Sequence, residues 1–228
     1  MEGRILNDVL VPENLDTLPM LSFSKARFVA PKSVDVQDYC VMTQDQGNRP
    51  WCAAYAASAF ASNVLWRKTG MPEVFDPEPI YRYAKRIDGS PDTDGTSLVA
   101  VMQALLHLKY FDENICSVRV LRTVDQVRFA IHKFGCCLLG LMVSKEWYLC
   151  NPSKTTITGN LKKGVVAELI GGHAVLCCGF DRNYVYIQNP WGKDWANHGF
   201  AYITWKELAR EFSYGAVLNN CLYDMKMN

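Results

Sequence analysis

The chain has 228 residues, 49% of them apolar, and 24 Lys plus Arg stand against 23 Asp plus Glu for a net charge of +1. That apolar share fills a sizeable core in one domain or two closely packed lobes and excludes a disordered polypeptide. The near-neutral charge excludes the long-range field that gathers nucleic acid or an anionic membrane, so neither is expected as a partner. No apolar run approaches the about 18 to 20 residues of a membrane span.

Residues 1 to 30 lack periodicity, carry Pro12 and Pro19, and run into Pro31. They read as an extended arm, either lying on the body or partly mobile. They also lack the basic start and unbroken apolar run of a secretory signal, which implies a cytoplasmic or otherwise intracellular setting, with a viral or non-classically delivered origin left open. From 31 to 122 the chain reads as a helix-rich lobe. WCAAYAASAFASNVLWRK, free of Gly and Pro, places Ala53, Ala56, Ala57, Phe60 and Val64 on one helical face. A second helix follows Pro79 in IYRYAKRI, and a third runs through SLVAVMQALLHLK behind a turn and cap at Asp94-Gly95-Thr96.

Residues 123 to 228 begin with one more helix, TVDQVRFAIHKFG, with capping-box spacing at Thr123 and Gln126 and Gly135 at its end. Strand-like runs follow: CCLLGLMV, HAVLCCGF, YVYIQN, GFAYITW and AVLNNCLY, with a short helix at LAREF capped by Thr204. Helices first and strands later make an α+β protein with a cleft between two lobes.

Nine cysteines, an odd number that includes two vicinal pairs inside strand-like runs, form a poor disulfide framework. Most read as small buried residues in a reducing compartment. Without C-x-x-C or ligand-spaced histidines, no metal and no cofactor is expected.

The chemistry gathers around QDQGNRPWCAAYAASAFAS. Cys52 lies at the mouth of the long helix, where N–H groups and the dipole favour a thiolate below the ordinary value of about 8.5. Gln46, six residues earlier, is placed to offer its amide beside the Cys52 N–H as an oxyanion hole, or is a turn glutamine with no catalytic duty. His173, after two glycines in GGHAVLCCGFD, is the clearest base. His107 and His132 lie inside amphipathic helices and His198 in a turn. Asn189 comes 16 residues after His173, on what should be the next antiparallel strand, where its amide oxygen can orient the imidazole under Trp191. Taken alone, Asn189-Pro190 is a turn signal and Trp191 a core aromatic.

In order and spacing, Gln46-Gly47, Cys52 opening a helix, His173-Ala174-Val175 and Asn189-x-Trp191-Gly192 resemble the papain-like cysteine peptidases over about residues 31 to 212. QGNRPWC is similar to the staphopain-like QGNxxWC pattern of compact bacterial and viral members. The resemblance implies a papain-like two-lobed fold, a helical lobe plus an antiparallel β-barrel-like lobe with the active-site cleft between them. It implies a cysteine endopeptidase acting on protein or peptide through a thioester acyl-enzyme, with Cys52, His173, Asn189 and Gln46 as catalytic group and no cofactor. Gly95, by pairing its backbone with substrate, Gly171 and Trp191 would contact that substrate. Arg49 stands where many relatives carry a structural cysteine, so that bridge cannot form. An arm of about 30 residues stands where many relatives have a long inhibitory propeptide, which argues against the usual zymogen control and leaves open whether residues 1 to 30 cover the cleft. Acyl transfer to an amine, and a catalytically silent binding module, are the alternatives the motifs leave open.

Overall fold

A computed structural model of the chain describes residue 6, residues 11–24 and residues 28–221. The rest of the arm, and Leu222 and Tyr223 at the end of AVLNNCLY, lie outside the described residues.

A short strand β1 (Val34–Asp35) precedes the helices. In α1 (Cys52–Thr69) Ala53, Ala54, Ala57, Phe60, Ala61 and Val64 are buried. Their small side chains let the helix pack on the sheet and on two other helices at once, so it is buried over much more than one stripe. Gly70, in the left-handed region, closes it. α2 (Pro77–Ile87) starts two residues before Pro79, because the Asp76 side chain accepts the Glu78 N–H and Pro77 needs no N–H partner in the first turn. α3 (Leu98–His107) is capped by Ser97 rather than by the Asp94–Thr96 turn.

β2 (Ser117–Leu121) breaks the otherwise helical first half and joins the main sheet. α4 (Val124–Phe134) has the expected capping box and ends at Gly135. The remaining elements are β3 (Cys137–Ser144), β4 (Thr156–Ile157), β5 (Asn160–Lys162), β6 (Val165–Val166), β7 (Leu169–Phe180), β8 (Tyr184–Gln188), β9 (Phe200–Thr204), α5 (Trp205–Glu211) and β10 (Phe212–Asn219). The main sheet runs β2-β10-β3-β7-β8-β9-β4, with β1 against the end of β7, and a separate hairpin joins β5 and β6. All pairings are antiparallel except β4 with β9. Central β3 and β7 carry α1 and α4 packed against them, which is why their sequences read as apolar runs rather than alternations.

The expected barrel-like closure is absent: the sheet is open and ends at β2 and β4. The arm takes the outer edge of β2 instead. Leu21 N–H donates to Val120 O and Val120 N–H to Pro19 O, both at 2.9 Å. A capped edge removes the need for closure at that side.

The cysteines also need correction, since Cys116 and Cys221 form a disulfide across 105 residues. β2 pairs with β10 through Ser117 opposite Asn219, so the two cysteines lie just beyond the last pair of the ladder. Spacing along the chain carries no trace of this. Such bonds persist in oxidising surroundings, and the bond therefore pulls against the reducing setting expected from the start of the sequence.

Candidate active site

Cys52 is the first residue of α1, and Trp51 before it makes no side-chain capping bond, so the first-turn N–H groups have no side-chain acceptor there. The thiol lies beside the N–H groups of Ala174, Ala53 and Cys52 itself, each of which favours a thiolate. Burial outweighs all three. At 2% exposure the thiol is pushed up to about 11, not down as the helix mouth alone suggests.

Ala174 follows His173 on β7, and the antiparallel pairing of β7 with β8 sets Leu176 opposite Gln188. One residue past β8, Asn189 faces the imidazole: His173 Nε2 and Asn189 Oδ1 are 2.7 Å apart, and both residues are fully buried. Asn189 is fixed by its own backbone, its N–H donating to Gly199 O at 2.9 Å and its carbonyl accepting the Trp191 N–H at 2.8 Å. The Trp191 ring lies 4.9 Å from that of His173 and stacks on Tyr148 at 5.4 Å. Trp147 meets His173 edge-on at 6.1 Å and stacks on Trp195, whose indole N–H holds the Trp147 carbonyl at 2.9 Å. The aromatic block keeps the hydrogen bond between the imidazole and Asn189 out of water.

Gln46 joins the two lobes. Its backbone N–H donates to Pro190 O at 2.9 Å, next to the bridge between Asp45 and Trp191. Its side chain is buried and donates one amide hydrogen to Arg49 O at 3.1 Å. The Asn189–Gly192 turn and the loop leading to Cys52 are therefore tied together by backbone bonds.

Gly95 is buried, and its backbone faces two side chains of the helical lobe. Its carbonyl accepts from Lys85 Nζ at 3.0 Å, and its N–H is directed at the Tyr81 hydroxyl. The Lys85 ammonium, 9% exposed, also pairs with Asp88 at 3.2 Å, and Asp88 accepts from Thr96 Oγ1 at 2.7 Å. A substrate pairing with the Gly95 carbonyl would share that oxygen with Lys85. Gly171 meets the arm: a β-carbon there would lie 2.9 Å from that of Leu6. Trp191, fully buried, contacts His173 and Tyr148 rather than an open surface.

The other histidines have local roles. His107 stacks on Tyr83 at 4.2 Å, His132 lies 5.5 Å from Phe28, and His198 occupies a turn with φ of 53°. Among the described residues no group of three or more His, Cys, Asp or Glu is placed to hold a metal.

Sequence reasoning passed over Trp147, Tyr148 and Trp195, and also Tyr214, whose hydroxyl accepts the Leu98 N–H at the start of α3 at 2.7 Å. Trp195 had a signal, since it follows Trp191 by one helical-turn spacing in WGKDWA. Trp147 and Tyr148 sit outside any periodic run and had none.

No family model matches the chain, and no curated protein matches its sequence. Solved structures do match. Xylellain, a cysteine protease from Xylella fastidiosa, superposes with a TM-score of 0.72 over 96% of this chain and 97% of its own, at 17% identity. Procathepsin B S9 from Trypanosoma congolense gives 0.68 at 14% identity over 93% and 85%. Procathepsin L 3 from the larval midgut of Tenebrio molitor gives 0.64 at 13% identity over 93% and 75%. Helical lobe, open antiparallel-rich sheet and the site between them make this chain's architecture the papain-like fold of cysteine proteases.

Proposed function

We propose that the chain is a cysteine endopeptidase that hydrolyses protein or peptide substrates. The observation that carries this is the 2.7 Å contact of His173 Nε2 with Asn189 Oδ1, sealed under Trp191, on the strand whose next N–H reaches the Cys52 sulfur. With Nε2 engaged by Asn189, proton exchange with the thiol runs through Nδ1. His173 takes the Cys52 proton as sulfur attacks the scissile carbonyl carbon, and the carbonyl oxygen becomes an oxyanion. The Cys52 N–H and the second amide hydrogen of Gln46 stabilise that charge. The C–N bond then breaks as His173 returns the proton to the leaving amine. A thioester remains, which water, deprotonated by the same ring, hydrolyses to free Cys52.

The arm fits as an intramolecular occupant of the cleft. Leu6 rests against Gly171, two residues from His173, and Cys52 and His173 are closed to solvent. Structures that the chain resembles include precursor forms, procathepsin B S9 and procathepsin L 3.

The test is a cleavage profile on a peptide library, with Cys52→Ala and His173→Ala as controls and a thiol-directed epoxide as label. Cleavage lost in both variants and label on Cys52 alone support the reading. Cleavage surviving Cys52→Ala, or label spread over the other cysteines, refutes it.

A further inference from the structure

The fully buried ring of Trp147 touches His173, Trp191 and Trp195, and so forms one wall of the imidazole's cage. Its one polar atom, the indole N–H, donates to Glu211 Oε2 at 2.9 Å. Glu211, 1% exposed, is the last residue of α5, and its Oε1 accepts the Ser144 N–H at 2.9 Å at the end of β3. β3 is also the strand on which Leu141 stands opposite His173. One buried carboxyl group therefore fixes both the indole against the imidazole and the end of the strand that pairs with His173.

A buried carboxyl is costly unless its oxygens are met, and this one is met by two N–H groups that lead toward the reacting ring. Its neighbours are Glu207 and Arg210, both on α5. Arg210 pairs with Glu207 and lies 4.0 Å from Glu211, while Glu146, on the same side, is bound to Lys154. Burial and Glu207 push the Glu211 carboxyl up to about 8, so the site holds it against its own preference for water.

We infer that Glu211 is a positioning residue of the active site, acting through the Trp147 indole to hold the His173 ring at the angle needed for proton transfer with Cys52. The inference rests on the peptidase reading above. Misplacement of a reacting group by about 1 Å costs on the order of 100-fold in rate, and a loosened wall produces a fraction of that.

Glu211→Gln keeps the shape but turns an amide N–H toward one of the two N–H groups. Trp147→Phe removes the indole donor and leaves Glu211 intact. For each variant and for the double variant, kcat and KM on the best peptide from the profile are measured per active-site-titrated molecule. The pH dependence of Cys52 alkylation by iodoacetamide is mapped by mass spectrometry on the Cys52 peptide. The expected result is a fall in kcat of about 10- to 100-fold for each single variant, with KM within about twofold. Each single variant also shifts the Cys52 profile, and the double variant is no slower than the slower single one, because the two changes cut the same link. Effects that multiply in the double variant, or a kcat and a Cys52 profile equal to the parent's, overturn the inference. Should Glu211→Gln fail to fold, Trp147→Phe decides alone by the same kcat and profile. A chain that cleaves no peptide even when Leu6→Asp loosens the arm refutes the peptidase reading, and the alkylation profiles then still judge the positioning role.

Discussion

Leu6→Asp tests whether the arm holds Cys52 in its unreactive form. Leu6 is half-buried against Gly171. Full burial of a leucine side chain is worth about 1.5 to 3 kcal/mol, so a half-buried one contributes about 1 kcal/mol, or about fivefold in docking. A carboxylate facing the same wall adds its own desolvation cost and takes the docking equilibrium further. Cys52 reports the outcome, because burial lifts its thiol from an ordinary 9.0 to about 11. Two units correspond to about 2.7 kcal/mol between the protonated and ionised forms. To the extent that the arm supplies that burial, the covered arrangement binds the Cys52 proton more tightly than the open one. Its advantage is therefore complete below pH 9 and is lost as pH rises toward 11. The assay is the alkylation rate by iodoacetamide at the Cys52 peptide across about pH 6 to 11, with partly exposed Cys40 as internal control. In the parent the profile rises with a midpoint near 11. In Leu6→Asp the midpoint moves down by as much as about two units and the rate at neutral pH rises by up to about 100-fold, with Cys40 unchanged. A Leu6→Asp profile that superposes on the parent's refutes the reasoning.

Gln46→Ala lowers kcat by about 100- to 1000-fold if its amide holds the oxyanion, while circular dichroism and the unfolding midpoint change little; a rate near the parent's assigns Gln46 to the turn alone. Lys85→Met leaves Asp88 buried without its cation and costs about 3 to 5 kcal/mol in urea unfolding. Asp88→Asn added to Lys85→Met recovers part of that loss, whereas simple addition of the two costs counts against the pair as the source. Peptide mapping without reductant finds Cys116 linked to Cys221 and seven free thiols. Reducing that bond lowers stability by about 4 to 5 kcal/mol from the freed 105-residue loop, and a reductant-insensitive midpoint contradicts it.

The arrangement of the candidate site was legible wherever it rests on a fixed local frame. Cys52 at a helix mouth and Asn189 one strand after His173 are patterns of periodicity and hairpin spacing, and the structure places them on α1, β7 and the end of β8. The capping box of α4 behaved alike, because Thr123 and Gln126 satisfy each other within one turn. What escaped reading depends on contacts far apart in the chain. The Cys116–Cys221 bond and the arm on β2 are set by which strands lie side by side, and alternation within a strand says nothing about its neighbours. The Cys52 thiol was misjudged for a related reason. The helix-end contribution is local and visible, whereas the larger desolvation comes from what covers the site. Gly95 showed the same limit, as its turn was evident but the Lys85 and Tyr81 groups that claim its backbone were not.

The stretch from Leu15 to Leu21 does more than lead toward the body. Its carbonyls at Leu15 and Leu18 are held by Arg122, that of Leu21 by Gln126 Nε2 at 2.8 Å, and Pro19 and Leu21 complete the ladder of β2. The sheet therefore sets a boundary for any cut in this stretch. A cut upstream of Pro12 would release the leucine at Gly171 and leave every one of these bonds in place. A cut beyond Leu21 would strip β2 of its cover, leave Gln126 Nε2 without its acceptor and present an unpaired strand edge that invites aggregation.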